Sequence, residues 1–271
     1  MGNVIKMDVY RMLRSRSTYY ILIGLSFFLV FLINNSHESL LDSQKGLPVP
    51  KAIVGIGFDG NLLSDQMSLL QFFKVFARSQ SFILILAIFS VLFINHEEAS
   101  GFTKNIAGQV QKRGWLLFSK FICQGLFIVL AFLVGLVTVL AAGEMSYDEI
   151  VLGNIGQLLK EVGLQFIFHL AFAGILLLII TLIRQAIVSL LVSVLLCFGA
   201  FAFLYHAIDR WIQQGLGIPD FTMNNYTITG IISQVSIDSA KGQLIRAVIV
   251  ALIYGMLTVG LSVTIKNRRD L

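Results

Sequence analysis

The chain reads as an all-α integral membrane protein with six transmembrane helices. Three observations predict this. First, 56% of the 271 residues are hydrophobic, only 13% are charged, and the mean hydropathy is +0.83. A soluble domain carries roughly 25% charged residues, so the solvent for this much apolar side chain is lipid. Second, the apolar runs are continuous, as in Phe82-Ile83-Leu84-Ile85-Leu86-Ala87-Ile88-Phe89. A membrane barrel would alternate apolar and polar residues in segments of about ten. Helices instead satisfy every backbone group within the run itself. Third, six such runs follow one another, and we read them as one transmembrane domain over 1–271.

Residues Asn3–Ser17 come first. Val4, Met7, Tyr10 and Leu13 recur every three residues, while Lys6, Arg11, Arg14 and Arg16 fall mostly elsewhere. That spacing predicts an amphipathic helix lying in the inner interface, with Tyr19 and Tyr20 at the headgroups. The first span is placed at 17–33 and the second at 79–95. Both are short for a core that needs about 20 residues. The first can borrow a turn from Met12 onward, the second from Leu70-Gln71-Phe72-Phe73. A basic stretch before an apolar run is also the pattern of a signal peptide. Asn34-Asn35-Ser36-His37 offers no small-residue cleavage site, so the span is expected to be retained.

The third span is placed at 115–142. Ser146-Tyr147-Asp148-Glu149 then matches a capping box, and Ile150, Val151, Leu152, Ile155, Leu158 and Leu159 follow. A short helix on the outer surface is expected there. The stretch 163–206 has almost no polar break and is too long for one span. It is expected to fold back at Arg184-Gln185, giving spans at 163–183 and 186–206. The segment 207–246 is largely apolar and holds Gly215, Gly217 and Pro219. We expect a half-buried outer segment, shielded by protein, before the last span at 247–265.

An even number of spans puts both termini on one side. That side then holds twelve of the twenty Lys and Arg residues, against four of the fifteen acids: Asp8, Glu97, Glu98 and Asp270. The positive-inside rule makes both termini cytoplasmic. The pI near 9.3 reflects this sorting and does not point to nucleic acid. Cys123 and Cys197 lie inside apolar runs and read as small buried hydrophobes rather than a disulfide or metal pair.

No catalytic or metal-ligating constellation stands out. There is no nucleophile elbow, no His pair at metal spacing and no GxxxxGK[ST] loop. If ATP drives the protein, another subunit must bind it. His169 is the best candidate for an intramembrane polar site, either as a gate or relay or as a neutral imidazole bonded to a neighbouring helix. The loop after the second span is more informative. Gly101 permits a sharp turn, and Phe102–Gln111 can form a short helix along the membrane. Its apolar residues pack down, and its charged ends face a partner.

That loop carries a resemblance. Phe93-Ile94-Asn95-His96-Glu97-Glu98-Ala99-Ser100-Gly101-Phe102-Thr103-Lys104-Asn105-Ile106, then Lys112-Arg113-Gly114-Trp115 and Ser119-Lys120-Phe121, resembles the permeases of type-2 ABC exporters. Glu98 (or Glu97), Gly101, Lys104, Arg113 and Lys120 fall on that family's positions around its cytoplasmic coupling helix. The Pro that many members carry before the basic residue is missing from Gly108-Gln109-Val110-Gln111-Lys112-Arg113. The basic interface helix with Arg11, Arg14 and Arg16, the six spans and the half-buried outer segment are also similar to the family.

The resemblance implies a bacterial cell-membrane permease subunit with no enzyme activity of its own. Two ABC ATPase subunits would bind ATP and Mg, and a second permease chain, identical or similar, would complete the complex. Glu97, Glu98, Gly101, Lys104 and Arg113 would couple to the ATPase, with Arg184 as a second contact. The expected cargo is an amphipathic substrate such as an antimicrobial or toxin-like peptide. The alternative is a non-transporting membrane sensor or scaffold that binds an ATPase.

Overall fold

A computed structural model describes residues 2–45, 52–53, 56–57, 68–99, 114–146, 151–215, 217–218 and 220–268. Residues 39–40, 43–44, 52–53, 56–57 and 97–99 are described by backbone alone. The helices are α1 (Gly2–Arg14), α2 (Arg16–Gln44), α3 (Leu69–Ala77), α4 (Gln80–Ala99) and α5 (Gly114–Ser146). They continue with α6 (Ile155–Ile183), α7 (Ala186–Cys197), α8 (Ala202–Gly215), α9 (Ile228–Gln234) and α10 (Lys241–Arg268). A 3-10 turn spans Met223–Tyr226, and strands β1 (Ala52–Ile53) and β2 (Ile56–Gly57) pair antiparallel.

Four helices are each long and apolar enough to cross a membrane: α2 over Arg16–Glu38, α5, α6 and α10. Two pairs pass only together, α3 with α4 and α7 with α8, bent by 57° and 51°. Apart from the short β1–β2 pair, the regular elements among the described residues are therefore helical, with four to six candidate spans.

Both bends have local causes. At the first, Ser79 Oγ donates to Phe76 O at 2.7 Å and accepts from Phe82 N at 3.1 Å. One hydroxyl thus closes α3 and caps α4. At the second, Gly199 sits at φ +65, Ala200 N donates to Leu195 O, and Gly199 N donates to Leu196 O. That is a Schellman ending, which needs a residue free to adopt the left-handed region. Residues Leu70–Phe73 therefore do not extend the second span straight; they belong to α3. The expected fifth span, 186–206, is likewise interrupted rather than continuous. Met12 does not extend the first span either, because α1 ends at Arg14 and α2 begins at Arg16.

The separate outer-surface helix expected after Ser146 is also corrected. The helix α6 begins at Ile155, capped by Asn154 Oδ1 accepting from Gly156 N and Gln157 N. Thus Ile155, Leu158 and Leu159 are its first turns, eight residues earlier than the 163 expected. Tyr147-Asp148-Glu149 lies outside the described residues. The tight turn at Arg184-Gln185 is found. Arg184 ends α6 at φ 56 in the left-handed region, and Ala186 starts α7.

The central helices are α5 and α6. The helix α6 packs against α10, α5, α4, α7, α9 and α3, and α5 packs against α2 and α1. Lipid offers no hydrophobic drive for helix association, so close approach and hydrogen bonds must hold the bundle. Both occur. Gln124 Nε2 donates to Ser90 Oγ at 2.8 Å between α5 and α4, and Thr138 Oγ1 donates to Ser26 Oγ at 3.1 Å between α5 and α2. Phe73, Phe76, Phe82 and Phe132 meet edge to face or stacked around the first bend. Among the described residues nine phenylalanines are buried, seven are half-buried and four are exposed, so much of this aromatic surface packs against protein.

Where α6 meets α10, a Cβ on Gly174 would lie 2.5 Å from Thr258 Oγ1 and 3.7 Å from Gly255 Cα. Gly174→Leu is therefore expected to lower stability by about 2 kcal/mol, the usual cost of overpacking. Gly163→Ala, whose Cβ would meet nothing within 4 Å, is the control and is expected to be neutral or slightly stabilising. Thermal unfolding of both variants in the same detergent checks this.

Candidate functional site

The candidate site is the end of the bundle that carries α1. The segment 100–113, outside the described residues, leaves the end of α4 and enters the start of α5 there. Gly101, Lys104 and Arg113 of the expected coupling set fall in that segment. Glu97 and Glu98 lie in the last turn of α4, with only their backbone described. Arg184 is at the turn from α6 to α7.

The helix α1 is seated by a carboxylate. Asp8 is fully buried on a segment otherwise rich in basic residues. Its Oδ2 accepts a short hydrogen bond from Ser119 Oγ of α5, and its Oδ1 lies 3.5 Å from Arg11 Nη1. Asp8 also interacts electrostatically with Lys120, which is buried next to Ser119. The Lys120 ammonium sits 5.9 Å above the ring of Phe93 on α4. Close by, Gly114 N donates to Asn267 Oδ1 at 2.8 Å, tying the first turn of α5 to the last turns of α10. One carboxylate and one asparagine thus hold α1, α5 and α10 together where the segment 100–113 re-enters the bundle.

Arg14 is exposed and rests on Tyr10, its guanidinium 5.7 Å from the ring and bonded to the hydroxyl. Arg16 is exposed at the first position of α2. Of the apolar positions in the α1 repeat, Tyr10 and Leu13 are exposed, while Val4 and Met7 are half-buried. Asp8 and Met12, one turn apart, form the face that α1 buries. The signal that was missed is the lone acid in a basic helix.

His169 is fully buried on α6. Its Nδ1 lies 2.7 Å from Gln165 O; a carbonyl only accepts, so this nitrogen carries the proton. That bond lies within its own helix, and the ring also interacts with the backbone of Ala77 at the end of α3, a neighbouring helix. The ring stands edge-on to Phe82 at 5.0 Å and Phe132 at 5.5 Å. His169 is joined to a polar column that the sequence reading did not foresee. Gln165 and Glu161, one and two turns earlier, are also fully buried. Gln165 Nε2 donates to Glu161 Oε1 at 3.1 Å and to Val235 O at 3.1 Å, and Ile237 N donates to Glu161 Oε2 at 2.8 Å. The column clamps the link between α9 and α10 onto α6.

Two basic residues of the bent pair complete that clamp. Arg78 Nε donates to Ser233 O at 2.9 Å, and Lys74 Nζ is in a short ion pair with Asp238 Oδ2. Ile228, Ile231 and Ile232 of α9 are buried, so the segment before the last helix is indeed half-buried in protein.

Cys123 and Cys197 are free, buried thiols. Among the described residues, no group of three His, Cys, Asp or Glu side chains is placed to hold a metal ion. No protein-family model matches this chain, and no curated protein matches it in sequence.

Proposed function

We propose that the chain is the permease subunit of a type-2 ABC exporter in a bacterial cell membrane. In this reading it has six spans, with each bent helix pair counted as one, and both termini are cytoplasmic. ATP and Mg sit on two copies of a separate ATPase subunit. A second permease chain, identical or similar, completes the path. The cargo is an amphipathic molecule, an antimicrobial or toxin-like peptide being the best fit.

The observation that carries this reading is the seating of α1. Asp8 joins the interface helix to Ser119, five residues after Gly114, where α5 begins. A push on the segment 100–113 would move the end of α4 and the start of α5. Through Asp8 it would also move α1, and with it α2. That is the linkage expected of a segment that converts closure of an ATPase dimer into motion of spans. The half-buried α9 before the last helix and the tight turn at Arg184 support the same reading.

The test is ATP turnover by the purified permease–ATPase complex, with and without cargo, in wild type, Glu98→Ala and Lys104→Ala. Both variants are expected to lose cargo stimulation or the ability to assemble. A chain that purifies alone, binds no ATPase and tolerates both changes would overturn the proposal. Turnover that responds to cargo without moving it across a vesicle membrane would identify a sensor or scaffold instead.

A further inference from the structure

The corner between α1 and α2 is fastened by side chains. Thr18 Oγ1 donates to Met12 O at 2.9 Å, Tyr19 Oη donates to Leu13 O at 2.6 Å, and the Ser15 and Ser17 hydroxyls lie 3.1 Å apart. These bonds satisfy carbonyls at the end of α1 that have no acceptor role within the helix. Against α4, the corner encloses a cavity of about 450 Å³, far larger than the ~30 Å³ share of one water.

The two halves of this cavity differ in chemistry. Its rim carries Arg11, Arg14, Arg16 and His96. Tyr10 holds Arg14 in place from below the guanidinium plane. Asp8 offsets part of the Arg11 charge from behind, leaving Arg14 and Arg16 as the main source of positive potential. The first turn of α2 adds the amides of Ser17 and Thr18, which have no acceptor in their own helix, and the positive end of a 29-residue helix. The other wall is apolar, built from Ile21, Phe89, Leu92 and Phe93. Leu92 is half-exposed, so this wall continues onto the outer surface of the bundle.

We propose that this cavity binds the headgroup of an anionic phospholipid. The phosphate sits among Arg14, Arg16 and the amides of α2, and an acyl chain descends along Ile21, Leu92 and Phe93. A free phosphate would satisfy the rim alone and leave the apolar wall uncovered. A zwitterionic lipid would bring its own cation to the arginines. The proposal requires only that α1 lies at a membrane surface, so it stands or falls separately from the exporter reading.

The test uses the full chain in nanodiscs of phosphatidylcholine, with or without phosphatidylglycerol, and native mass spectrometry to count retained lipid. Wild type is expected to keep phosphatidylglycerol in preference to phosphatidylcholine. The double variant Arg14→Gln/Arg16→Gln is expected to lose that preference about thirtyfold, as two charges worth about 1 kcal/mol each at an anionic surface imply. Lys241→Gln, at the opposite end of the bundle, is expected to change nothing. Unaltered retention in the double variant overturns the proposal. Displacement of the lipid by inorganic phosphate would assign the site to a free anion and also overturn it. A second measurement needs no variant: phosphatidylglycerol with a photoreactive headgroup should label wild type within residues 10–18 or 89–96. Labelling confined to other segments would refute the assignment.

Discussion

Asp8→Ala is expected to cost about 4 kcal/mol of stability and to release α1 from the bundle, because it removes a buried acceptor and a buried charge that offsets part of the Lys120 ammonium. Asp8 is fully buried and is the acceptor for Ser119. Without it, Lys120 keeps a buried ammonium that Asp8 no longer offsets. The double change Asp8→Ala/Lys120→Met should recover most of the loss, since replacing both charges by apolar groups is often neutral. Ser119→Ala removes a single hydrogen bond and should cost about 1 kcal/mol. Thermal unfolding gives the magnitudes, and hydrogen exchange over 2–14 reports whether α1 has come loose. Equal losses in the single and double variants would show that the Asp8–Lys120 interaction contributes nothing. In the exporter reading, a loosened α1 also lowers coupling, so ATP turnover would persist while cargo movement falls.

Glu161→Leu should be the second costly change, at about 3 kcal/mol, because it removes the acceptor of two donors at once, one buried and one half-buried. The Ile237 amide and the Gln165 side-chain amide both donate to this carboxylate. Gln165 keeps its bond to Val235 O, so the link between α9 and α10 should loosen rather than detach. Glu161→Gln still offers one acceptor oxygen and should cost about 1 kcal/mol. Faster hydrogen exchange at Ile237 in the leucine variant, with α1 unaffected, is the expected signature. A leucine variant as stable as wild type would mean that the clamp rests on Arg78–Ser233 and Lys74–Asp238 instead.

Much of the bundle was legible because lipid imposes a simple rule: each crossing segment must be apolar and helical. Residues 115–142 and 247–265 fall inside α5 and α10, which extend a few residues beyond them at each end. The turn at Arg184-Gln185 was placed from polarity alone, and the half-buried segment before the last helix from its apolar composition. What failed were the places where hydropathy does not change but geometry does. Hydropathy cannot register the bend at Ser79, made by one hydroxyl bonding forward and back. It also cannot register the break at Gly199, made by one backbone angle.

The early start of α6 shows the same limit from the other side. The sequence reading began the fourth span at 163, which left Glu161 in an outer loop and Gln165 inside the span. In the bundle both are satisfied, and with His169 they form a polar stripe at helical spacing along α6. Read with a helix begun at Asn154, that i, i+4, i+8 pattern was visible. Likewise Asp8 reads as a minor offset in a basic segment, yet it is the residue that seats α1.

Composition and run length by themselves determined that this is a helical chain with several segments apolar enough to cross a membrane, because one-dimensional counts suffice where the solvent sets the rule. Only the tertiary structure decided which helices bend, which face of α1 is buried and which buried charges meet. The bends turn on one hydroxyl and one backbone angle that hydropathy does not register, and the buried contacts depend on single hydrogen bonds between residues far apart in the chain, such as Asp8 with Ser119 and Glu161 with Ile237.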